Sequence, residues 1–506
     1  MEFTASRMLQ TVYGTSNIVW ANVIGLVLFF LTVGYFLGGW LADRYPSPRL
    51  FYALVTLAGF NGVFFLLLTS ALLTTAAEAL AVLNVGAIVG SLLGVVFALA
   101  APITLLGCIS PFAIRLGVRD VREAGRISGL IYALSTWGSL LGTYLPVLIV
   151  IPEAGSRIAA ILFGGLIMLV GLVGLLRVGG RASRLALLLP LFLAPFIVLW
   201  GRGPIKSFPG QIYETESAYN YIQVIRQGDC NYLLLNEGQA FHSYYCDEGR
   251  VPRISVWSIM LAAPYFNAGA AEVATPVERM AVVGLAAGTI PKQFTRIFGP
   301  VVVDGIELDP VIVEVGRDFF ALEEPNINVI VGDGRYQLNR LPRDSYDLIT
   351  IDAYKVPYIP WHLTTHEFFA EVHARLDEDG VVAVNVGRAP GDRRLVQALT
   401  ATLLTVYPSV HAVDVPGALN TILVATVLPS SPQNLPQNLE QLPATADPLL
   451  RQALQVAAEN QKPAVPGDVV FTDERAPLET MVDSLVLRYL LREGPAALPG
   501  LDEGRR

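Results

Sequence analysis

Two glycines and a carboxylate between residues 284 and 307 have the types and spacing needed to hold a nucleoside. Gly284 and Gly288 follow the apolar run 280–283. A glycine-rich turn after a strand lets backbone amides and a helix N-terminus approach a ligand closely. Glu307 ends the next apolar run, where an acidic residue can accept hydrogen bonds from two ribose hydroxyls. We therefore expect these three residues to contact a nucleoside.

Two more carboxylates end later apolar runs. Asp333 and Gly334 follow the run 329–331, and the Asp333 carboxylate could bind an adenine amino group. Asp352 ends the next run, where a carboxylate can take a proton from an attacking nucleophile. Tyr354 could orient that nucleophile or line the pocket. Each acid also has a plainer interpretation, as a solvated strand end or the cap of a turn.

The phosphate-binding patterns of nucleotide enzymes are incomplete in this chain. No Gly-Lys-Ser/Thr follows the turn, and the full Gly-x-Gly-x-x-Gly pattern is absent. A glycine turn, an acid and Gly-Asp-Gly at these spacings suit a nucleoside without a pyrophosphate. A methionine-derived adenosine is the natural candidate, and no metal is expected, because no metal-ligand spacing is present.

Residues of this kind need a sheet whose strands end at one edge. Short β-branched runs alternate with helix-compatible sequence over 280–352, which predicts a doubly wound, Rossmann-like α/β domain. We assign 271–495 to this domain and 496–506 to a tail. A late strand is expected at 419–426, and the Pro-, Gln- and Asn-rich stretch 429–446 is expected to be a loop.

A small β-rich lobe with a connecting helix is predicted over 213–270, after a polar linker at 201–212. Cys230 and Cys246 lie in this lobe and could pair, although two reduced thiols are favoured. Near the C-terminus, Asp473 and Glu474 are expected to cap the last helix rather than to act in catalysis.

Residues 1–200 predict a multi-pass membrane domain. The chain is 53% hydrophobic and only 15% charged, and few of the charges precede residue 200. About six apolar segments approach the ~20 residues that cross a bilayer. They are 19–41, 50–73, 84–109, 127–151, 158–176 and 185–200, the last being short and interrupted by prolines.

Arginines suggest how these segments are oriented. They follow the first, third and fifth segments, at Arg44, Arg49, Arg115, Arg119, Arg122, Arg126, Arg177, Arg181 and Arg184. An excess of arginine marks cytoplasmic loops, so six crossings of a cell (inner) membrane would put the soluble domain on the opposite side. A cytosolic ligand, in contrast, favours the cytoplasmic side. The net charge of −8 without a basic patch argues against a nucleic-acid partner.

Residues from about 213 to 385 resemble the spermidine synthase (polyamine aminopropyltransferase) family. The matching pieces are Glu216-Ser-x-Tyr219, the hairpin Leu-Asn-x-Gly-Gln239, the glycine turn, Glu307-x-Asp309, Gly332-Asp-Gly334 and Asp352. A membrane half before such a domain resembles the fused transporter/spermidine synthase subgroup, whose members usually have one more helix at the start. The segment 472–479 is similar to that subgroup's Thr-Asp-Asp-x-Ala-Pro-x-Glu.

The resemblance implies a role for each matching residue. Glu307 corresponds to the ribose-binding acid, Asp333 with Gly334 to the adenine-binding pair, and Asp352 to the aspartate that deprotonates the attacking amine. Asn220 falls where the family has a nucleoside-binding glutamine. Gln239 and Asp309 are placed with the same nucleoside site.

Three departures fall on the side of the site that selects the substrate. Ala287 replaces the acid that holds the donor's ammonium tail, and Lys355 replaces the second aspartate of Asp-x-x-Asp-Pro, which binds the diamine's cationic end. A lysine there would repel a second cation. Trp257 stands where a polar Gln or His is usual. We place His242 on this side as well, although a structural histidine is its plainer interpretation.

The leading hypothesis is a membrane-anchored transferase that binds decarboxylated S-adenosylmethionine or S-adenosylmethionine as co-substrate. It would transfer an aminopropyl-type group to a small-molecule amine. Ala287 and Lys355 keep open a methyltransferase that acts on a membrane-proximal acceptor. A non-catalytic or transport-coupled protein that binds a nucleoside is the third interpretation, and a homodimer is a further hypothesis.

Overall fold

The computed structural model describes residues 17–82, 87–200, 208–236, 240–247, 250–251, 253–273, 275–354 and 358–493. The chain divides into two compact units. The first contains residues 1–208, 214–221 and 236–238, and the second contains the remaining residues from 209 onwards.

The first unit is helical. Its helices are α1 (Asn17–Arg44), α2 (Pro48–Val82), α3 (Ala87–Gly117), α4 (Ala124–Leu145), α5 (Ile151–Val178), α6 (Arg181–Leu185) and α7 (Leu188–Trp200). Among the described residues, four helical stretches are long and apolar enough to cross a membrane: Trp20–Arg44, Pro48–Leu68, Leu92–Gly117 and Val121–Val178. The last covers 58 residues and contains two of the six predicted segments, and the final segment, Ser183–Leu199, is shorter.

Glycines let these helices approach one another closely. A Cβ added to Gly34 of α1 would lie 2.3 Å from the carbonyl oxygen of Thr104 in α3. A Cβ on Gly59 of α2 would lie 2.3 Å from the backbone nitrogen of Met168 in α5. Small residues at helix crossings are typical of membrane bundles, where van der Waals packing replaces the hydrophobic effect.

Charged residues lie at both ends of this bundle. At one end Arg115 forms an ion pair with Asp43 at 3.1 Å. Arg177 lies in the last turn of α5. Near the beginning of α5, Gly155 adopts φ +81° and breaks the helix. There, still within the first unit, the Glu216 carboxylate accepts hydrogen bonds from the Ser156 N–H at 2.6 Å and the Ser156 hydroxyl at 2.7 Å.

Four antiparallel strands form a small sheet before the main domain, as predicted. They are β1 (Gln211–Glu216), β2 (Tyr221–Gln227), β3 (Cys230–Leu235) and β4 (Phe241–Cys246). The prediction of two reduced thiols was wrong. The register of β3 with β4 places Cys230 directly opposite Cys246, and the two form a disulfide. Both cysteines are buried.

The main sheet has eight strands in the order β12-β10-β11-β9-β8-β5-β6-β7. These are β5 (Arg279–Val283), β6 (Val302–Glu307), β7 (Ile327–Val331), β8 (Tyr346–Ile351), β9 (Leu376–Gly387), β10 (Ser409–Asp414), β11 (Asn420–Thr426) and β12 (Gln461–Lys462). Strands β9, β8, β5, β6 and β7 are parallel, and β11, β10 and β12 add antiparallel pairs. The predicted doubly wound α/β fold is confirmed.

Apolar side chains of the central strands alternate between two cores. Met280 and Val282 of β5 pack into one core, and Ala281 and Val283 pack into the other. A parallel sheet covered on both faces requires such continuously apolar strands. The helices of this unit are α8 (Val256–Met260), α9 (Thr289–Phe298), α10 (Pro310–Phe320), α11 (Gly334–Leu338), α12 (His366–His373), α13 (Arg394–Leu403), α14 (Asn434–Gln441), α15 (Pro448–Glu459) and α16 (Leu478–Glu493).

The prediction that 429–446 is a loop was wrong, because this stretch contains helix α14. Leu435 is fully buried, and the Asn438 side chain donates to the carbonyl oxygens of Tyr265 and Asn267 at 2.8 Å. Long-range packing stabilises a helix here although local composition favours a loop.

Candidate active site

The site lies where the order of the parallel strands reverses. The chain passes from β5 outward to β6 and β7, then returns to β8 on the other side of β5. Ligands of doubly wound sheets bind at the carboxyl ends of strands beside such a switch point. Gly284 follows β5 with φ +93°, and an added Cβ would lie 2.5 Å from the carbonyl oxygen of Asp352. A side chain at this position would therefore collide with the turn after β8.

Glu307 closes the glycine turn from the end of β6. One carboxylate oxygen accepts the Ala286 N–H at 2.9 Å, and the other accepts the Asp309 N–H at 3.0 Å. Burial raises the pKa of Glu307 to about 7, and the backbone donors oppose that shift. An ionised carboxylate has about four acceptor positions. Leu308 supplies a further backbone donor, and the acceptor capacity that remains is what a ribose hydroxyl would use.

Asp333 begins helix α11 at the end of β7. Its Oδ1 accepts the Tyr336 N–H at 2.9 Å, and its Oδ2 lies 3.1 Å from Nε2 of His362. Gly334 lies close to β5, since an added Cβ would lie 2.8 Å from Cγ1 of Val283. The capping alternative is thus present at Asp333, but only one of its two oxygens is used for it.

Both carboxylate oxygens of Asp352 accept hydrogen bonds from neutral donors. The Trp257 indole N–H donates to Oδ2 at 2.8 Å, and the Asn385 amide donates to Oδ1 at 2.8 Å. Burial raises the pKa of Asp352 to about 6, and the two donors oppose the shift. The Tyr354 hydroxyl donates to the Asn385 carbonyl oxygen at 2.9 Å. Asp352 is thus a carboxylate poised to exchange a proton near neutral pH.

A partly exposed ion-pair cluster ties the C-terminal segment to helix α11. Arg335 forms ion pairs with Glu371 and Asp473, both at 2.7 Å. Asp473 also accepts the Thr365 hydroxyl at 2.7 Å. The last helix begins at Leu478, so the prediction that Asp473 and Glu474 cap it was wrong. The contacts of Asp473 hold the helix that begins at Asp333.

Comparison with known proteins assigns this region to a family. Residues 280–435 match the spermine/spermidine synthase domain model. The second unit therefore contains a spermine/spermidine synthase domain. That match includes Glu307, Asp333 and Asp352.

Individual relatives are similar to part of this chain. A probable polyamine aminopropyl transferase from Bifidobacterium longum is 30% identical over 217 residues, which are 42% of this chain and 46% of that protein. The match thus spans about half the length of that relative. A polyamine aminopropyltransferase from Vibrio vulnificus is 27% identical, over 47% of this chain and 79% of that protein.

Methyltransferases match over shorter stretches. The N-terminal histidine N-methyltransferase from Emericella nidulans is 32% identical over 139 residues, 25% of this chain and 23% of that protein.

A solved structure of a probable spermidine synthase from Corynebacterium glutamicum aligns with a TM-score of 0.41 and 18% identity. It covers 50% of this chain and 95% of that chain.

The remaining predicted nucleoside residues of the synthase domain and its flanks have varied placements. Gly288 begins helix α9 with φ +87°. Asp309 is buried and caps α10 by accepting the Val311 N–H at 3.1 Å. In the first unit, Oδ1 of Asn220 accepts the Asn236 amide at 3.0 Å. Gln239 lies outside the described residues.

On the substrate-selecting side, Ala287 is buried, and its N–H donates to the Ser243 hydroxyl at 3.0 Å. Burial lowers the pKa of His242 to about 4, so that its imidazole is neutral at pH 7. Trp257 contacts the Asp352 carboxylate itself. Lys355 lies outside the described residues. Among the described residues, no group of three or more His, Cys, Asp or Glu side chains could hold a metal ion.

Sequence reasoning missed two asparagines and a histidine of this site. Asn385 lies in β9 and is buried, Asn420 begins β11, and His362 faces Asp333. An isolated asparagine in an apolar strand, such as Asn385 between Val384 and Val386, was the available signal. A buried amide needs hydrogen-bond partners, and here one partner is the candidate base.

Proposed function

We propose that the synthase domain transfers an aminopropyl-type group from decarboxylated S-adenosylmethionine, or a close relative, to an amine, with Asp352 as the base. The observation that carries this proposal is Asp352, whose backbone lies against the glycine turn. Its carboxylate accepts hydrogen bonds from Trp257 and Asn385, and burial raises its pKa to about 6. The similarity of this chain to polyamine aminopropyltransferases supports the reaction class. Glu307 would bind the ribose and Asp333 the adenine.

The reaction needs a neutral amine and a good leaving group. The amine's lone pair forms a bond to the activated carbon, and the carbon–sulfur electron pair returns to the sulfonium, which leaves as the thioether of methylthioadenosine. Asp352 accepts the proton that the amine loses. The domain's contribution is positioning and proton transfer.

A methyltransferase is a second candidate, and Ala287 favours it. In this chain a buried alanine stands where the resemblance calls for an acid, and its N–H already has a partner in Ser243. The donor's ammonium tail therefore has no carboxylate at this position. S-adenosylmethionine also carries a carboxylate on that tail. Replacement of the acid by Ala287 should therefore reduce the affinity for S-adenosylmethionine less than the affinity for its decarboxylated form. Matches to methyltransferases over shorter stretches point the same way.

Calorimetry and product analysis on the purified full chain test these candidates. Decarboxylated S-adenosylmethionine, S-adenosylmethionine and methylthioadenosine are titrated separately, and each donor is then incubated with putrescine. Putrescine-dependent release of methylthioadenosine supports aminopropyl transfer, and S-adenosylhomocysteine formation with a membrane acceptor supports methyl transfer. Absence of binding by all three nucleosides contradicts both proposals and favours the third, non-catalytic interpretation.

We also propose that the apolar helices cross a membrane, and that the synthase domain lies on the side opposite the arginine-rich loops, as six crossings require. Arginine-rich ends face the cytoplasm. The disulfide between Cys230 and Cys246 favours the same side, because disulfides persist in oxidising compartments.

Cysteine labelling tests this orientation. Val273 and Val121 are both exposed valines, one in the second unit and one between α3 and α4. In a Cys108→Ala background, a membrane-impermeant maleimide should label the Val273→Cys variant in intact cells. The Val121→Cys variant should react only after permeabilisation. The reverse pattern would place the domain in the cytoplasm.

A further inference from the structure

The hydrogen bonds of Asp352 continue into two asparagines on neighbouring strands. The Asn385 amide nitrogen donates to Oδ1 of Asp352 at 2.8 Å. The Asn385 amide oxygen accepts from the Asn420 side chain, also at 2.8 Å. Asn385 lies in β9, beside β8, and Asn420 lies in β11 on the other side of β9. A polar chain therefore runs from the base across two strands.

Asn420 decides which way the Asn385 amide faces. An amide has a donor end and an acceptor end of nearly equal size, so its partners select the orientation. Because Asn420 donates to Asn385, the Asn385 oxygen faces Asn420 and its NH₂ group faces Asp352. With the Trp257 indole on the other oxygen, the carboxylate is held by donors that cannot take its proton.

We propose that Asn385 and Asn420 are positioning residues that hold the Asp352 carboxylate ionised and aimed at the acceptor. This inference rests on the proposed function, because it gives Asp352 the role of base. Each oxygen has one neutral N–H partner and keeps further acceptor capacity, so an amine must approach at the remaining lone pairs. The pair thus fixes both the direction of attack and the pH at which the base works.

Other charges near Asp352 do not account for this effect. Among the described residues, the titratable group electrostatically coupled to Asp352 is Tyr354, and burial raises the pKa of Tyr354 far above neutrality. Its hydroxyl donates to the Asn385 backbone carbonyl oxygen. Tyr354 is therefore uncharged at working pH, and the neutral donors are what oppose the effect of burial on Asp352.

The decisive variant is Asn420→Asp. A carboxylate at position 420 can only accept, so it turns the Asn385 amide around and presents the amide oxygen to Asp352. The ionised form of Asp352 then loses a hydrogen bond from a neutral donor, which favours the protonated form. The acid limb of kcat/KM should therefore move upward by about one to two pH units. The rate well above that limb should also fall, because the turned amide no longer aims the carboxylate, whereas the KM for the donor should stay close to the wild-type value.

Asn328→Asp is the matched control. Asn328 lies near the start of β7 and donates to the buried carboxylate of Asp304 at 2.8 Å, away from the carboxyl ends of the strands. The same substitution there places a new acid beside a buried acid without touching the catalytic region. It should lower thermal stability and leave the pH profile in place. Equal pH shifts in both variants would mean that Asn420 acts only through stability.

Two further outcomes separate this inference from the proposed function. If Asp352→Asn is inactive and Asn420→Asp keeps the wild-type pH profile, the positioning role is wrong and the base assignment stands. If the wild-type protein shows no transfer, the proposed function fails. The Asp352 carboxyl can still be titrated by isotope-edited infrared spectroscopy, with Asp352→Asn to assign the band. An unchanged titration in Asn420→Asp would then overturn the inference.

Discussion

Replacement of Asp352 by asparagine is expected to lower the turnover of group transfer by about 10²–10⁴-fold, the usual contribution of a general base. An asparagine has nearly the same shape but cannot take the proton of the amine. Its single oxygen can satisfy only one of the two donors, Trp257 and Asn385, that hold the carboxylate. Nucleoside affinity should change little, because Glu307 and Asp333 are untouched. Rapid-quench kinetics and calorimetry on the same preparation measure the two quantities separately.

The pH dependence of the wild-type rate tests the same role of Asp352 as the base. A base is active in its ionised form, and burial raises the pKa of Asp352 to about 6. The rate should therefore fall about tenfold per pH unit below that value. Asp304→Asn provides the control, because Asp304 is a buried carboxylate paired with Arg279 at 2.8 Å outside the site. It should destabilise the fold and spare the acid limb. Turnover that survives in Asp352→Asn would remove this residue from the chemistry.

The parts of the site that the sequence predicted are those fixed by strand ends. Glu307, Asp333 and Asp352 each follow an apolar run, and parallel strands must bring such ends to one edge of the sheet. The glycine turn was predictable for the same reason, since only a close backbone approach explains Gly284. The local sequence was therefore sufficient to predict both the fold class and the acidic residues of the candidate site.

What the sequence did not predict depends on pairing between distant strands. Cys230 meets Cys246 because of the register of β3 with β4, which no spacing rule fixes. Asn385 and Asn420 meet because β9 and β11 are antiparallel neighbours. The sequence indicated only that Trp257 stands where a polar residue is usual. In the structure its indole N–H donates a hydrogen bond to Asp352. Such contacts follow from the tertiary fold and cannot be derived from periodicity.

Glu307→Gln is expected to weaken methylthioadenosine binding by about 10²-fold. Two ribose hydroxyls would lose a charged acceptor, and each such hydrogen bond is worth about 1.5–3 kcal/mol against about 1.4 kcal/mol per tenfold in affinity. The glutamine also has one acceptor oxygen for two backbone donors, the N–H groups of Ala286 and Asp309. One of them must turn away from the side chain, which loosens the glycine turn as well.

The pH dependence of binding separates this role from a structural one. Burial raises the pKa of Glu307 to about 7, well above the value near 4.3 expected in an unfolded chain. The stability that this group contributes is therefore fully present below the unfolded pKa and is lost as the pH rises through about 7. A ribose that donates two hydrogen bonds favours the ionised form, so binding should release protons near pH 7, and affinity should rise with pH up to that point. Calorimetry in two buffers of different ionisation enthalpy measures the release. The Glu307→Gln variant should show none, whereas Asp352→Asn should keep it. Wild-type affinity in Glu307→Gln would mean that the nucleoside does not bind at the end of β6.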